Sequence, residues 1–221
     1  GLVALCGAFS YGILIQRMPA SGGEYVFLSR AVHPFAGFMA GWISLLAGFS
    51  GAIAFAAVAL ESYLPGDFPA KLPAVGVVVL GAALHGGRRW LGVGVQNTAV
   101  ILKLLLLGIF LGWGATSIDW GSDSTRSFQT EGGFLAFAQA LVWISLSYSG
   151  FNAAVYVAGE ATSPLIVARA LVTGTAVVVL LYLLLNAAFV LGAPAAEISG
   201  QADVAAVAAR WIGGAGFEVF T

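Results

Sequence analysis

The sequence predicts an all-α polytopic membrane protein, and three observations predict it. Of the 221 residues, 60% are apolar and only 9% are charged, with a mean hydropathy of +0.96. A soluble domain averages about 25% charged residues. Apolar runs close to the roughly 20 residues that cross a bilayer recur along the chain, which excludes a single anchor. One of these runs, Gly133 to Pro164, is interrupted in its middle by Ser149-Gly150-Phe151-Asn152. Backbone in hydrocarbon must satisfy its own polar groups, so a break there is tolerated only beside protein or a wet cavity.

The spans follow in order. The first covers about residues 2–16 and stops at Arg17-Met18-Pro19-Ala20-Ser21-Gly22-Gly23, where Pro and paired Gly end a helix. Glu24 to Val32 forms a short interfacial helix closed by His33-Pro34. The second span, about 35–60, carries Gly37 and Gly41 at the small-xxx-small spacing of close helix contacts. A Pro-rich polar loop, Glu61 to Lys71, leads into a short third span at about 72–85. The tight basic turn Gly86-Gly87-Arg88-Arg89 precedes the fourth, about 91–114. An acidic loop with Asp119, Asp123 and Glu131 comes before the interrupted fifth span, about 134–159. Thr162-Ser163-Pro164 ends that span, and the sixth covers about 166–191. Residues 193–216 are too polar to span. Within them Val204, Val207, Ala208, Trp211 and Ile212 share one helical face, which predicts an amphipathic helix at about 203–213.

The interrupted span can be read in two ways. A continuous helix would use its small residues to pack against a neighbour. A broken one exposes carbonyls at the end of one half, suited to a cation, and amides at the start of the other, suited to an anion.

The arginines set the orientation. Loops at 17–33, 86–90 and 160–169 hold Arg17, Arg30, Arg88, Arg89 and Arg169 in about 32 residues. Loops at 61–72, 115–132 and 192–216 hold Lys71, Arg126 and Arg210 in about 55 residues, together with seven acids, Asp67, Glu197 and Asp203 among them. The first set is denser in positive charge and is therefore cytoplasmic.

Lys103 is the one charged residue well inside a predicted span. An ammonium at that depth costs roughly 2.5 to 3.5 kcal/mol on insertion scales, so it faces the bundle interior and finds a partner. Two roles stand open for it, proton coupling and helix packing through carbonyl contacts. His33 and His85 sit at span ends and suggest no metal site. Gly92-Val93-Gly94 lacks the strand–turn–helix setting of a nucleotide fingerprint. Glu160 reads as a local cap or ion-pair partner. The net charge of −1 says nothing about nucleic acid, the sequence offers no basic groove for one, and the single Cys6 forms no internal disulfide. The spans hold no cluster of acid, base and nucleophile, so the chain is expected not to be an enzyme and to need no cofactor. It starts at Gly1 inside an apolar run and ends at Gly216-Phe217-Glu218-Val219-Phe220-Thr221, which looks like the opening turn of another span. An interior fragment of a longer protein is the expectation.

Four pieces, in order, resemble the amino acid permeases of the amino acid–polyamine–organocation (APC) transporter superfamily. Pro19-Ala20-Ser21-Gly22-Gly23-Glu24-Tyr25-Val26-Phe27-Leu28 resembles the loop before that family's third helix. Gln96-Asn97 through Lys103 resembles its fifth helix. Ser147-Tyr148-Ser149-Gly150-Phe151-Asn152, followed by Val157-Ala158-Gly159-Glu160 and Pro164, resembles its broken sixth helix. Ala193 to Gly216 resembles its extracellular loop between helices seven and eight.

The resemblance implies a partial LeuT-like inverted-repeat fold, running from helix two to the start of helix eight in one transmembrane transporter domain, 1–221. It implies a secondary active transporter working by alternating access in the cell membrane, as in a bacterial inner membrane. Carbonyls near Leu146, Ser147 and Ser149 would receive the substrate α-amino group, Gly150 would permit the break, and Asn152 would reach the site by its side chain. Leu146 stands where many members have a gating aromatic, and Ser149 where many have glycine. Lys103 would fill a location that holds sodium in related transporters, which favours proton coupling or exchange. The expected partners are an amino acid, protons and the lipid bilayer; the oligomeric state is not encoded in any single feature. The rival class is a non-transporting amino acid receptor or scaffold on the same fold.

Overall fold

The computed structural model describes residues 1–61, 64, 69–86, 89–117, 133–201 and 203–214. All regular structure among them is helical. They fall into two compact units, one within residues 1–93 and 140–176 and the other within 94–139 and 177–221.

The first unit begins with α1, Leu2–Arg17, which stops where Met18 leaves helical geometry ahead of Pro19. Gly22 and Gly23 both take positive φ and redirect the chain into α2, Glu24–Ala31. Glu24 in its first turn and Arg30 in its last complement the helix dipole. His33 then caps α3, Pro34–Glu61: its Nδ1 accepts from Phe35 N at 3.2 Å, with Pro34 in the first turn. Gly37 lies against Ser29 and the Tyr25 carbonyl of α2, and Gly41 lies against the Tyr25 ring. The small-xxx-small spacing therefore serves the α2–α3 contact.

One feature of α3 was not expected from the sequence. Ser44–Ser50 is π-helical, and Ser50 Oγ donates to Leu45 O at 2.9 Å. Such segments are uncommon and often mark functional sites. Glu61 Oε1 then accepts from Lys71 N at 2.7 Å, joining the end of α3 to the start of α4, Leu72–Gly86.

The interrupted span is broken. Its first half is α6, Phe134–Ser147, which follows α5, Arg89–Ser117. A turn covers residues 148–152, and the chain resumes as a 3-10 helix, Ala153–Glu160, where an ordinary α-helical half was expected. Pro164 opens α7, Pro164–Gly192, and Ser163 Oγ accepts from Leu165 N at 3.3 Å just before it. The core of this unit gathers Ala8 and Ile15 of α1, Phe27 of α2, Val155 and Ala158 of the 3-10 segment, and Val167, Ala168 and Leu171 of α7.

In the second unit, α8 (Ala195–Ile198) leads to α9, Val204–Gly213. Ala208, Ala209 and Ile212 pack with Phe110 of α5 and Ala188 of α7, edged by Leu185 and Phe189. The predicted amphipathic helix is thus present with one correction. Trp211 remains 55% exposed, because the buried arc centres on Ala208 and Ile212 and the large ring sits toward its edge.

Three helices among the described residues are long and apolar enough to cross a membrane: Pro34–Glu61, Gly92–Ser117 within α5, and Pro164–Gly192. The shorter apolar helices Leu2–Arg17, Leu72–Gly86 and Phe134–Ser147 reach only ~21 to 24 Å at the α-helical rise, against a hydrocarbon core of about 30 Å. Asp67, Arg88, Asp119, Asp123, Arg126, Glu131 and the segment 216–221 lie outside the described residues.

Candidate functional site

The site builds from the break. α6 ends at Ser147, where Tyr148 N is shared between Ile144 O (3.3 Å) and Ser145 O (3.2 Å). Ser149 N donates to Leu146 O at 3.0 Å, which leaves that carbonyl a second lone pair. Gly150 turns the chain with φ +91, a conformation side chains rarely adopt, and nothing lies within 4 Å of where its Cβ would stand. The need for glycine there is one of backbone conformation alone. Gly150 O then accepts from Ala153 N at 3.0 Å and starts the 3-10 segment.

Leu146, Ser147, Ser149 and Gly150 are exposed on this turn. Ser147 Oγ donates back to Trp143 O at 3.1 Å. Asn152 is half-buried, and its side-chain Nδ2 donates to Glu24 Oε1. Tyr11 OH donates to the same oxygen at 2.8 Å, and Tyr156 OH donates to Oε2. Three neutral donors, from α1, the turn and the 3-10 segment, thus converge on the carboxylate that opens α2.

The surroundings fix this cluster. Gly22 N donates to Tyr156 O at 3.2 Å, and Gly159 N donates to Ser21 Oγ at 2.9 Å. A Cβ on Gly23 would stand 2.7 Å from the Tyr156 ring, so only glycine admits that ring. Phe151 packs edge-on to Tyr11 with centroids 5.8 Å apart, and Tyr11 meets Phe27 at 5.9 Å. From the π-helical segment, Phe49 meets Tyr156 edge-on at 4.9 Å.

Glu24, Tyr11 and Tyr156 were not singled out as site residues by sequence reasoning, which took Glu24 as a helix start and as one member of the piece from Pro19 to Leu28. A faint signal existed, a lone carboxylate directly behind paired glycines in an apolar region. Two of its three partners lie 128 and 132 positions away and cannot be paired from one sequence.

Lys103 belongs to the second unit. It lines a cleft of about 400 Å³ with Leu102, Leu106, Phe110, Leu185, Phe189 and other apolar groups. Among the described residues no group of three or more His, Cys, Asp or Glu is placed to hold a metal. Glu160 is exposed at the end of the 3-10 segment.

A sequence model of the family described as amino acid permease matches residues 1–221. The chain belongs to the amino acid permease family, within the APC superfamily. It is similar to the b(0,+)-type amino acid transporter 1 of Mus musculus, 29% identical over 206 residues, covering 86% of this chain and 42% of that protein. The low-affinity putrescine importer PlaP of Escherichia coli (strain K12) is 28% identical over 165 residues, covering 68% of this chain and 35% of that protein. The large neutral amino acids transporter small subunit 2 of Homo sapiens is 26% identical over 223 residues, covering 93% of this chain and 41% of that protein. The chain thus spans about two-fifths of the length of these curated relatives. Their names describe transporters and an importer, not enzymes.

Proposed function

We propose that this permease chain contributes the broken-helix half of the substrate site in a secondary active amino acid transporter working by alternating access. The observation that carries the reading is the break itself: a helix that stops at Ser147, turns through Gly150 at φ +91 and restarts at Ala153. Carbonyls at the end of a half-helix attract a cation. An α-amino group is such a cation. The b(0,+)-type transporter and the putrescine importer are named for cargo that carries ammonium groups, which supports the same chemistry here. On this reading Leu146, Ser147 and Ser149 offer carbonyls, Gly150 permits the break, and Asn152 reaches the substrate. Lys103 is the coupling group, its ammonium standing where a sodium ion would otherwise sit. The six spans and the extracellular amphipathic helix form part of one LeuT-like transporter domain in the cell membrane.

The test uses the complete protein in proteoliposomes. Uptake of a labelled amino acid mixture is measured with and without an inward proton gradient. Uptake that rises with the gradient supports a proton-coupled permease. Uptake only against preloaded amino acid means exchange, with Lys103 reduced to a packing role. No uptake, combined with tight binding of an amino acid, would replace the proposal with a receptor.

A further inference from the structure

A glutamate carboxylate can only accept hydrogen bonds, whereas an asparagine side chain has one accepting end and one donating end. Where the two meet, the asparagine must turn its NH₂ toward the carboxylate. That is the arrangement seen, with Asn152 Nδ2 on Glu24 Oε1. Glu24 is itself held from both sides, by Tyr11 on Oε1 and by Tyr156 on Oε2. The Tyr156 ring is pinned in turn by Gly23 and Phe49. The amide is therefore turned with Nδ2 on Glu24 and its oxygen Oδ1 away from that carboxylate.

We propose that Glu24 is a positioning residue: it orients Asn152 so that the carboxamide oxygen alone is offered to the substrate, making this a contact for an ammonium group or another donor. The proposal rests on the reading of the break as the substrate site. It deepens that reading by assigning the polarity of one contact, and it explains why a carboxylate with no cationic partner among the described residues sits behind the turn. A negative charge at position 152, with Glu24 neutralised, would strengthen the same contact for cargo bearing two ammonium groups.

The experiment measures uptake of leucine, lysine and putrescine by the complete protein in proteoliposomes, with thermal unfolding of each variant followed in parallel. Four variants are compared: Asn152→Asp, Glu24→Gln, the double variant carrying both changes, and Asn152→Ala. Asn152→Asp sets two carboxylates against each other, and uptake is expected to fall at least tenfold. Glu24→Gln lets the amide at 152 turn over, and KM is expected to rise severalfold with little change in maximal rate. In the double variant the Gln amide donates to Asp. Uptake is expected to return, with the ratio of putrescine or lysine to leucine raised about tenfold. A double variant that unfolds like wild type but transports no better than Asn152→Asp would overturn the proposal. So would a Glu24→Gln protein that loses stability while keeping its KM. Unchanged KM for all three probes in Asn152→Ala would instead remove position 152 from the site, and both readings would fall together.

Discussion

Asn152 donates its side-chain amide to the carboxylate of Glu24, a residue 128 positions earlier in the chain. This bond ties the turn in the broken helix to the first residue of α2. Because Tyr156 meets the same carboxylate, the turn and the 3-10 segment beyond it share one anchor. The break is therefore braced at its second half, while its first half ends on exposed residues Leu146 and Ser147.

Gly23 should not tolerate a side chain. Its φ of +55 with ψ of −133 lies outside the regions open to other residues, and the Tyr156 ring occupies the space a Cβ needs. Backbone strain of this kind alone costs about 1 to 3 kcal/mol. Gly23→Ala is expected to lower the unfolding midpoint in detergent, and Gly23→Val more so. Wild-type midpoints for both would show that the ring is free to move aside.

Gly150 presents the opposite case. It has room for a side chain but the wrong backbone for one. Gly150→Asn is expected to cost less stability than Gly150→Val, because asparagine tolerates positive φ better. Gly150→Val is expected to abolish uptake in the complete protein while membrane expression persists. Unchanged uptake kinetics in Gly150→Val would take this turn out of the transport cycle.

Ile15 is fully buried between α1 and its neighbours, and Ile13 on the same helix is 58% exposed. Truncating a buried isoleucine typically costs about 2 to 5 kcal/mol, through lost contacts and the cavity left behind. Ile15→Ala is expected within that range, since the cavity it leaves is enclosed by the core of the unit. Ile13→Ala is expected to be close to neutral. Denaturant titration of the two purified variants compares them directly, and equal losses would contradict this packing of α1.

Lys103 lines an apolar cleft in the second unit. If its charge couples transport to protons, Lys103→Met in the complete protein should remove the stimulation of uptake by an inward proton gradient while counterflow exchange survives. Stimulation that persists in Lys103→Met would assign this lysine to packing.

The sequence by itself determined the class of protein, the succession of apolar helices, the place of the break and the family. All of these follow from local signals. Apolar run length marks a helix in lipid, Pro and Gly mark its ends, and the Ser149-Gly150-Phe151-Asn152 interruption is visible as a polar patch in an apolar run. The amphipathic face of α9 was likewise readable from its period, apart from the exposure of Trp211. Tertiary structure alone decided three things. It made the second half of the broken span a 3-10 helix, and it placed a π-helical segment at Ser44–Ser50. Both helix types are rarer and shorter than the α-helix, and neither has a periodic signature that the apolar pattern of these segments displays. It also gave Asn152 its partner. A hydrogen bond between residues 128 apart depends on how α1, α2 and the turn fold onto one another. One chain read from end to end shows which groups can donate and which can accept. Only the folded arrangement shows which of them meet.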